Sequence, residues 1–428
     1  MNISFLTLGC KVNQYETEEL MARLRAAGHA LAESAAKADA FVINTCAVTA
    51  ESVRKSKQAI RRLRREHPGA LFAVLGCFPE AEPETAASLG ADFVRGTGKL
   101  DEALAFFSAA GESERADEAK LPPPSGGRTR ALLKVQDGCD NFCTYCIIPH
   151  LKGRSRSVPI REAEERASAL YRQGYREIVL VGIELSSYGP DVGSDLAELI
   201  VAVAAAAPGV RLRLGSLEPR TVSEAFLEKI AKLPAICPHF HLSLQAGCDE
   251  TLSRMGRRYT TAEYAEALSR VRSYFPEAAI TTDVICGFPG ESEEDFETTL
   301  RFCRDCGFSD MHIFPYSRRE GTPANDFPRQ CSKEEKQRRA ARLQDVRDEG
   351  RRAYLERQIG RTLQVLFERG RGNLSTGHSE NYLNVDVNAA VPRGTVRSVR
   401  ITGADGTRLV GELAPDETGE TSAGEVGG

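Results

Sequence analysis

From its first residues the chain alternates short apolar runs with longer stretches whose apolar positions recur every three or four residues. Runs at 3–9, 40–45, 71–76 and 92–95 predict strands; stretches at about 14–27, 51–66 and 79–89 predict helices. Apolar strands separated by helices imply a parallel, doubly wound sheet of Rossmann or flavodoxin type, because crossover helices cover both faces. Pro, Gly and charge then interrupt the pattern, predicting a linker at 113–129. The alternation resumes with strands near 132–136, 177–182, 210–216, 238–244, 280–286 and 311–316. Six βα units suit a partial (β/α)6 barrel, two units short of the closed form. A long charged helix is expected over 332–358, after which the period falls to two. Runs at 363–368, 382–387, 394–402 and 408–413 predict a small antiparallel β-barrel. The expected division is therefore 1–112, the linker, 130–356, 357–415 and a disordered tail at 416–428.

A length of 428 residues is too great for one ordinary core and fits two or three domains. Hydrophobic content of 41% excludes a disordered chain. No apolar run approaches the roughly 18 residues of a membrane span, and the opening MNISFLTLGCKVNQYE lacks a basic leader region. The expectation is a cytoplasmic protein with no membrane partner. The net charge of −4 hides segregation, since residues 51–66, ESVRKSKQAIRRLRRE, form a basic helix. Local patches, not net charge, govern contact with phosphate.

Twelve cysteines in a reducing compartment call for an explanation other than disulfides. Three stand in Cys139-Asp-Asn-Phe-Cys143-Thr-Tyr-Cys146, directly after the first predicted barrel strand. Thiolates this close can hold three irons of a 4Fe–4S cluster and leave the fourth open to a small molecule. The loop also stands at the C-terminal mouth of the barrel, where active sites are built. Zinc is the competing reading, with His150 as a fourth ligand. Against it, the first spacing is loose for a zinc knuckle and Pro149 intervenes. A second trio, Cys10, Cys46 and Cys77, is dispersed, but each member ends a predicted strand: ISFLTLGC, FVINTC and LFAVLGC. Strand ends of a parallel sheet share one edge, with neighbours about 4.8 Å apart. The N-terminus of the basic helix points at that edge and favours anionic thiolates. The other six cysteines, Cys303-x-x-Cys306 among them, read as small hydrophobes.

The C-x3-C-x2-C loop with Tyr145 before its last cysteine resembles the signature of radical S-adenosylmethionine (SAM) enzymes. The resemblance implies that SAM chelates the open iron through its amino and carboxylate groups, and that reduction splits it to methionine and a 5′-deoxyadenosyl radical. It also implies a SAM pocket at the strand ends: Gly182, Ser216, Glu218, Gln245 in HLSLQ, and Gly287 in VICGFPGE. Arg154, Arg156, Arg257 and Arg258 are candidates for the SAM carboxylate or for RNA phosphate.

TLGCKVNQYETE at 7–18, NTCAVT at 44–49 and LGC at 75–77 resemble the N-terminal domain of methylthiotransferases. There the three cysteines hold a second, auxiliary 4Fe–4S cluster. GHSENYLNVDV at 377–387 resembles a TRAM domain, a small RNA-binding barrel. The family divides by substrate, and the first segment is similar to the branch acting on threonylcarbamoyladenosine at position 37 of tRNA. Isopentenyladenosine of tRNA and an aspartate of a ribosomal protein are the alternatives within the same chemistry. The implied partners are the tRNA anticodon stem-loop, SAM and a flavodoxin- or ferredoxin-type electron donor. Arg54, Lys55, Lys57, Arg61, Arg62, Arg64, Arg65 and Tyr382 are the expected RNA contacts. A different class, a zinc-dependent RNA-binding protein without catalysis, would carry zinc and no iron.

Overall fold

The computed structural model describes residues 1–110 and 129–415. Nearly all of the expected linker, and the tail from 416, lie outside them. Five strands, β1 (Asn2–Thr7), β2 (Ala30–Leu31), β3 (Ala40–Thr45), β4 (Leu71–Gly76) and β5 (Phe93–Val94), form a wholly parallel sheet ordered β2-β1-β3-β4-β5. This is the flavodoxin-type order, and it reverses between β1 and β3. The crevice beyond the strand ends at such a reversal is where these sheets bind ligands. Every residue of β3 is buried, as a central parallel strand requires. Helices Lys11–Ala26 and Ala50–Glu66 form as the periodicity predicts. The helix expected over 79–89 divides into Cys77–Ala81 and Pro83–Ala87, because Pro83 cannot donate to a preceding turn and starts a new helix instead. A further helix, Leu100–Ala110, was not anticipated.

The central domain begins with β6 (Ala131–Lys134) and the short pair β7 (Gln136–Asp137) and β8 (Arg156–Ser157). There follow β9 (Glu177–Val181), β10 (Arg211–Leu214), β11 (Ser216–Leu217), β12 (His239–Leu242), β13 (Ala279–Cys286) and β14 (Asp310–Pro315). They pair in parallel as β6-β9-β10 and β11-β12-β13-β14. β10 and β11 are one run interrupted at Gly215, where a Cβ would stand 2.9 Å from the Leu180 carbonyl oxygen. The result is the expected open barrel of six strand positions. The helix Lys333–Glu356 lies against its last strand, tied by Arg351 to Asp310 at 2.6 Å.

The last five strands, β15 (Thr362–Arg371), β16 (Leu374–Ser379), β17 (Asn384–Asn388), β18 (Val396–Asp405) and β19 (Arg408–Leu413), close into a barrel ordered β15-β16-β17-β19-β18. The sequence reading missed β16. Its inward residues are Ser375, Gly377 and Ser379, so it shows no apolar alternation. Gly377 is needed there because a Cβ would come within 2.2 Å of the Leu366 carbonyl oxygen. Tyr382, expected to meet RNA, is instead held in a left-handed turn with φ 68°. Its ring lies between His239 and His378, with the guanidinium groups of Arg213 at 4.6 Å and Arg130 at 5.1 Å.

That turn belongs to the joint between the two barrels. Glu177 is fully buried and accepts from Arg211 and, at 2.7 Å, from Arg213. The arginines then donate onward to the carbonyl oxygens of Gln364 and Glu380. Burial acts to raise the Glu177 carboxyl, but Arg213 and Arg211 outweigh it and hold it at about 2. Glu177→Ala would leave two buried guanidinium groups uncompensated, a loss of about 3–5 kcal/mol that chemical denaturation would measure. Because the folded value is depressed, the contribution is present above the unfolded carboxyl value of about 4.3. It should fade as pH falls through that value toward about 2, a loss visible in denaturation curves of the wild type and absent from Glu177→Ala.

Candidate functional site

Cys10, Cys46 and Cys77 follow β1, β3 and β4 and gather at the crevice where the strand order reverses. The backbone there is drawn tight. Gly9, at φ 115°, would place a Cβ 2.9 Å from the Cys46 Cβ. Gly76, at φ 97°, would place one 2.4 Å from the Asn44 side chain. Neither position tolerates a side chain. Buried Asn13 joins the strand ends: its amide donates to Thr45 O at 2.9 Å and Leu8 O at 3.2 Å, while Asn44 donates to Asn13 O at 3.0 Å. Cys10 also donates to Asn13 Oδ1 at 3.3 Å. Cys46 and Cys77 are buried, and Cys10 is exposed. Burial pushes the Cys77 thiol up to about 12, and the Lys152 ammonium is the largest influence opposing it.

Lys152 comes from the barrel. It ends the short helix Ile148–Lys152, just after the second cysteine trio, and is itself buried. It donates to Glu16 at 2.7 Å, and Lys134 reaches the same Glu16 oxygen at 3.2 Å. Glu16 lies on the helix that Cys10 begins. Around this ion cluster, Ile147, Ile148 and Leu151 share an apolar core with Phe78 and Cys77, while Tyr15 packs on Leu132, Val179 and Val181. The first domain is thus seated on the barrel beside both cysteine trios.

Cys139, Cys143 and Cys146 occupy the loop after β7. Gly138, at φ 72°, would drive a Cβ to 2.0 Å from the Arg154 carbonyl oxygen, so the loop enters through a glycine-only turn. Phe142 also adopts positive φ, at 46°, and its ring is exposed between Arg154 and His150. Cys139 N–H donates to Gly153 O, Thr144 N–H to Met255 O and Ala324 N–H to Thr144 O. Burial pushes Cys139 up to about 12 and Cys146 up to about 11. Among the described residues, the donor trios drawn within 4.8 Å of one another are His241–Asp283–His312 and Cys248–Glu250–Asp295. Neither cysteine trio is among them.

The predicted pocket residues meet this loop to different degrees. Arg257 donates to Cys143 Sγ at 3.3 Å and to Glu218 at 2.7 Å. Glu218 also accepts from Asn141 at 3.0 Å. Tyr145 stands edge-on to Phe288. Gly182 makes room for the side chain of Gln136, which a Cβ would approach to 2.7 Å. Gln245 sits at φ 69° and bridges Val284, bringing the ends of β12 and β13 together. Ser216 is exposed in register with His241. Gly287 lies under Lys336 and donates its N–H to Glu291 at 2.6 Å, so helix packing accounts for it. Glu184 was missed, having no motif around it. It accepts from Asn141 at 3.3 Å, and burial together with the charge of Glu218 pushes it up to about 7. On the basic helix, Lys57 pairs with Glu82 and Arg64 with Asp92, while Arg61, Arg62 and Arg65 are exposed.

Residues 133–303 match the radical SAM superfamily, and residues 2–96 match the uncharacterized protein family UPF0004. A six-strand open barrel with a three-cysteine loop after its first strand defines a radical-SAM enzyme. Threonylcarbamoyladenosine tRNA methylthiotransferase MtaB of Bacillus subtilis (strain 168) is 36% identical over 403 residues, covering 90% of this chain and 89% of that protein. The MtaB of Thermotoga maritima is 36% identical, covering 85% of each chain. The tRNA-2-methylthio-N(6)-dimethylallyladenosine synthase of Pelotomaculum thermopropionicum is 31% identical, covering 96% of this chain and 97% of that one. The chain belongs to the radical-SAM methylthiotransferase family, in its MtaB-like group. Its fold is similar to that of the radical SAM methyltransferase TsrM from Kitasatospora setae, with a TM-score of 0.55 at 17% identity over 76% of this chain and 77% of that one. Among the described residues, no helix is long and apolar enough to cross a membrane.

The raised thiols make a prediction. In metal-free protein Cys77, Cys139 and Cys146 stay protonated near neutrality, and each must shed its proton to ligate iron. Iron loading should therefore release protons and tighten as pH rises from about 7 to about 9. Titration in weak buffer with a pH indicator checks this, and loading without proton release would contradict it.

Proposed function

We propose that this enzyme adds a methylthio group to carbon 2 of threonylcarbamoyladenosine at position 37 of tRNA, working in the cytoplasm on the anticodon stem-loop. In this reading Cys139, Cys143 and Cys146 hold one 4Fe–4S cluster, and Cys10, Cys46 and Cys77 hold a second. A reductant of flavodoxin or ferredoxin type supplies electrons. The observation that carries the reading is the seating of two cysteine trios around one buried ion cluster, Glu16 with Lys152 and Lys134. Activating an aromatic C–H bond is beyond acid–base side chains; the bound clusters and SAM supply that radical chemistry.

The chain's own residues then have definable tasks. Arg257, spanning Cys143 Sγ and Glu218, orients the mouth of the barrel and offers its cation to the SAM carboxylate. Glu184 and Glu218, joined through Asn141, would receive the SAM ammonium; Glu184 at about 7 can hold or release a proton there. Tyr145, Gly182, Ser216, Gln245 and Gly287 complete the proposed SAM pocket, with Gly287 acting through the helix it supports. The domain seating keeps water from the gap into which the target base must swing, at a cost of a few kcal/mol. Arg61, Arg62 and Arg65, exposed on the basic helix, are the leading phosphate contacts, and their binding should weaken with salt. The relative of the dimethylallyladenosine group supports the second reading, the same chemistry on an isopentenyl base, at lower identity.

Anaerobic reconstitution of the full chain should yield about eight irons, counting four for each cluster. Cys139→Ala/Cys143→Ala/Cys146→Ala should keep about half of them and lose SAM cleavage. Mass spectrometry of a threonylcarbamoyl stem-loop should show the methylthio mass gain. Gain only on an isopentenyl stem-loop would transfer the assignment to that branch.

A further inference from the structure

Lys11 follows Cys10 and is the first residue of the helix Lys11–Ala26. Its side chain is exposed, and among the described residues its ammonium makes no ion pair and no hydrogen bond. Yet it does not face bulk solvent alone. Burial lowers the Lys11 ammonium below its usual value, Tyr382, Arg130, Arg213 and Glu177 all act on it electrostatically, and it in turn acts on His239. Those groups come from the central barrel and the C-terminal barrel, so three domains meet around this amine.

The anions in this place are already committed. Glu177 is matched by Arg211 and Arg213. Glu368 is matched by Arg130 at 2.8 Å and His378 at 2.9 Å. Lys11 therefore adds uncompensated positive charge, and the N-terminus of its own helix adds more. His239 supplies an independent sign of a missing ligand. It is 6% exposed, its Nε2 meets Thr281 Oγ1 at 3.2 Å, and its Nδ1 has no hydrogen-bond partner. Burial first, and Arg213 next, keep it well below the usual histidine value, so the ring is neutral. A buried ring nitrogen without a partner is costly, and a polar group arriving beside it would recover that cost. An unpaired cation, with an unpartnered imidazole nitrogen in the same electrostatic neighbourhood, makes a site for a carboxylate.

We propose that Lys11, assisted by His239, binds the free carboxylate of the amino-acid substituent carried on N6 of the substrate adenosine. The inference rests on the substrate reading above and deepens it. N6, N1 and carbon 2 lie along one edge of adenine. A group that reads the N6 substituent while carbon 2 faces the Cys10 trio must stand beside that trio, which is where Lys11 is. Lys11 is thus a specificity residue: it distinguishes a charged N6 substituent from an apolar one.

The test uses the reconstituted full-length enzyme and two synthetic stem-loops, one with the threonylcarbamoyl acid and one with its primary amide. Wild type should show a KM about tenfold or more lower for the acid than for the amide, the size of one charged hydrogen bond. Lys11→Met should raise KM for the acid about tenfold and change that for the amide less than about twofold, while Lys11→Arg restores most of the preference. Dissociation constants for the two stem-loops, measured without SAM, should follow the same pattern. If Lys11→Met weakens both stem-loops equally, Lys11 contacts phosphate or serves folding, and the proposal is overturned. It is overturned equally if wild type treats acid and amide alike. Should Lys11→Met lose iron, Lys11→Arg and the preference of the wild type decide. A wild type active only on isopentenyl RNA overturns the substrate reading itself, and this proposal with it.

Discussion

A single buried carboxylate organises the molecule. Glu16 is almost without solvent, and a lone charge in such a place costs several kcal/mol. Its neutralising partners, Lys152 and Lys134, belong to another domain. The N-terminal domain therefore satisfies its own electrostatics only when it is docked on the barrel. Because Glu16 sits about one turn beyond Lys11, next to Cys10, and Lys152 closely follows Cys146, the same contact sets where the two cysteine trios stand. Ile147, Ile148 and Leu151 pack with Phe78 across the contact, but packing alone is not directional. The ion cluster gives the interface one register.

Much of this could be read from the chain. Continuous apolar strands such as 40–45 are buried on both faces and declare a parallel sheet. The cysteine at the end of each such strand then falls on one edge without any tertiary information. What could not be read depended on contacts between distant residues. β16 hides because its inward face is Ser375, Gly377 and Ser379, chosen for the closeness of Leu366 rather than for hydrophobicity. Glu184 is an ordinary glutamate by sequence, and only the folded barrel sets it against Glu218 beside the loop. Gly182, expected in the SAM pocket, makes room for Gln136, a side chain no local motif announces. Tyr382 was expected to face RNA because aromatic residues in such barrels stack on bases. Its left-handed backbone turns it instead into the joint, among His239, His378 and two arginines.

The two joints solve the same problem in opposite ways. At the first, one carboxylate from the smaller domain receives two lysines from the barrel. At the second, the barrel itself provides both Glu177 and its arginines, and the C-terminal domain contributes carbonyl oxygens. Arginine suits the second role because its planar fork can hold a carboxylate with one side and reach backbone oxygens with the other. The Glu177 cluster is balanced before docking, whereas the Arg130–Glu368 pair forms only across the joint.

The helix Lys11–Ala26 starts at Cys10 and carries Tyr15 and Glu16 into the barrel interface. Its first turn has no side-chain cap of its own. Order at that turn would thus be shared between any group ligated by Cys10 and the salt contact one turn later. Maturation of the protein would inherit this linkage: an inorganic group held at Cys10 would brace the grip between the modules, and a chain without it would hold more loosely. Quality control by cellular proteases would meet that difference in rigidity before any turnover had taken place.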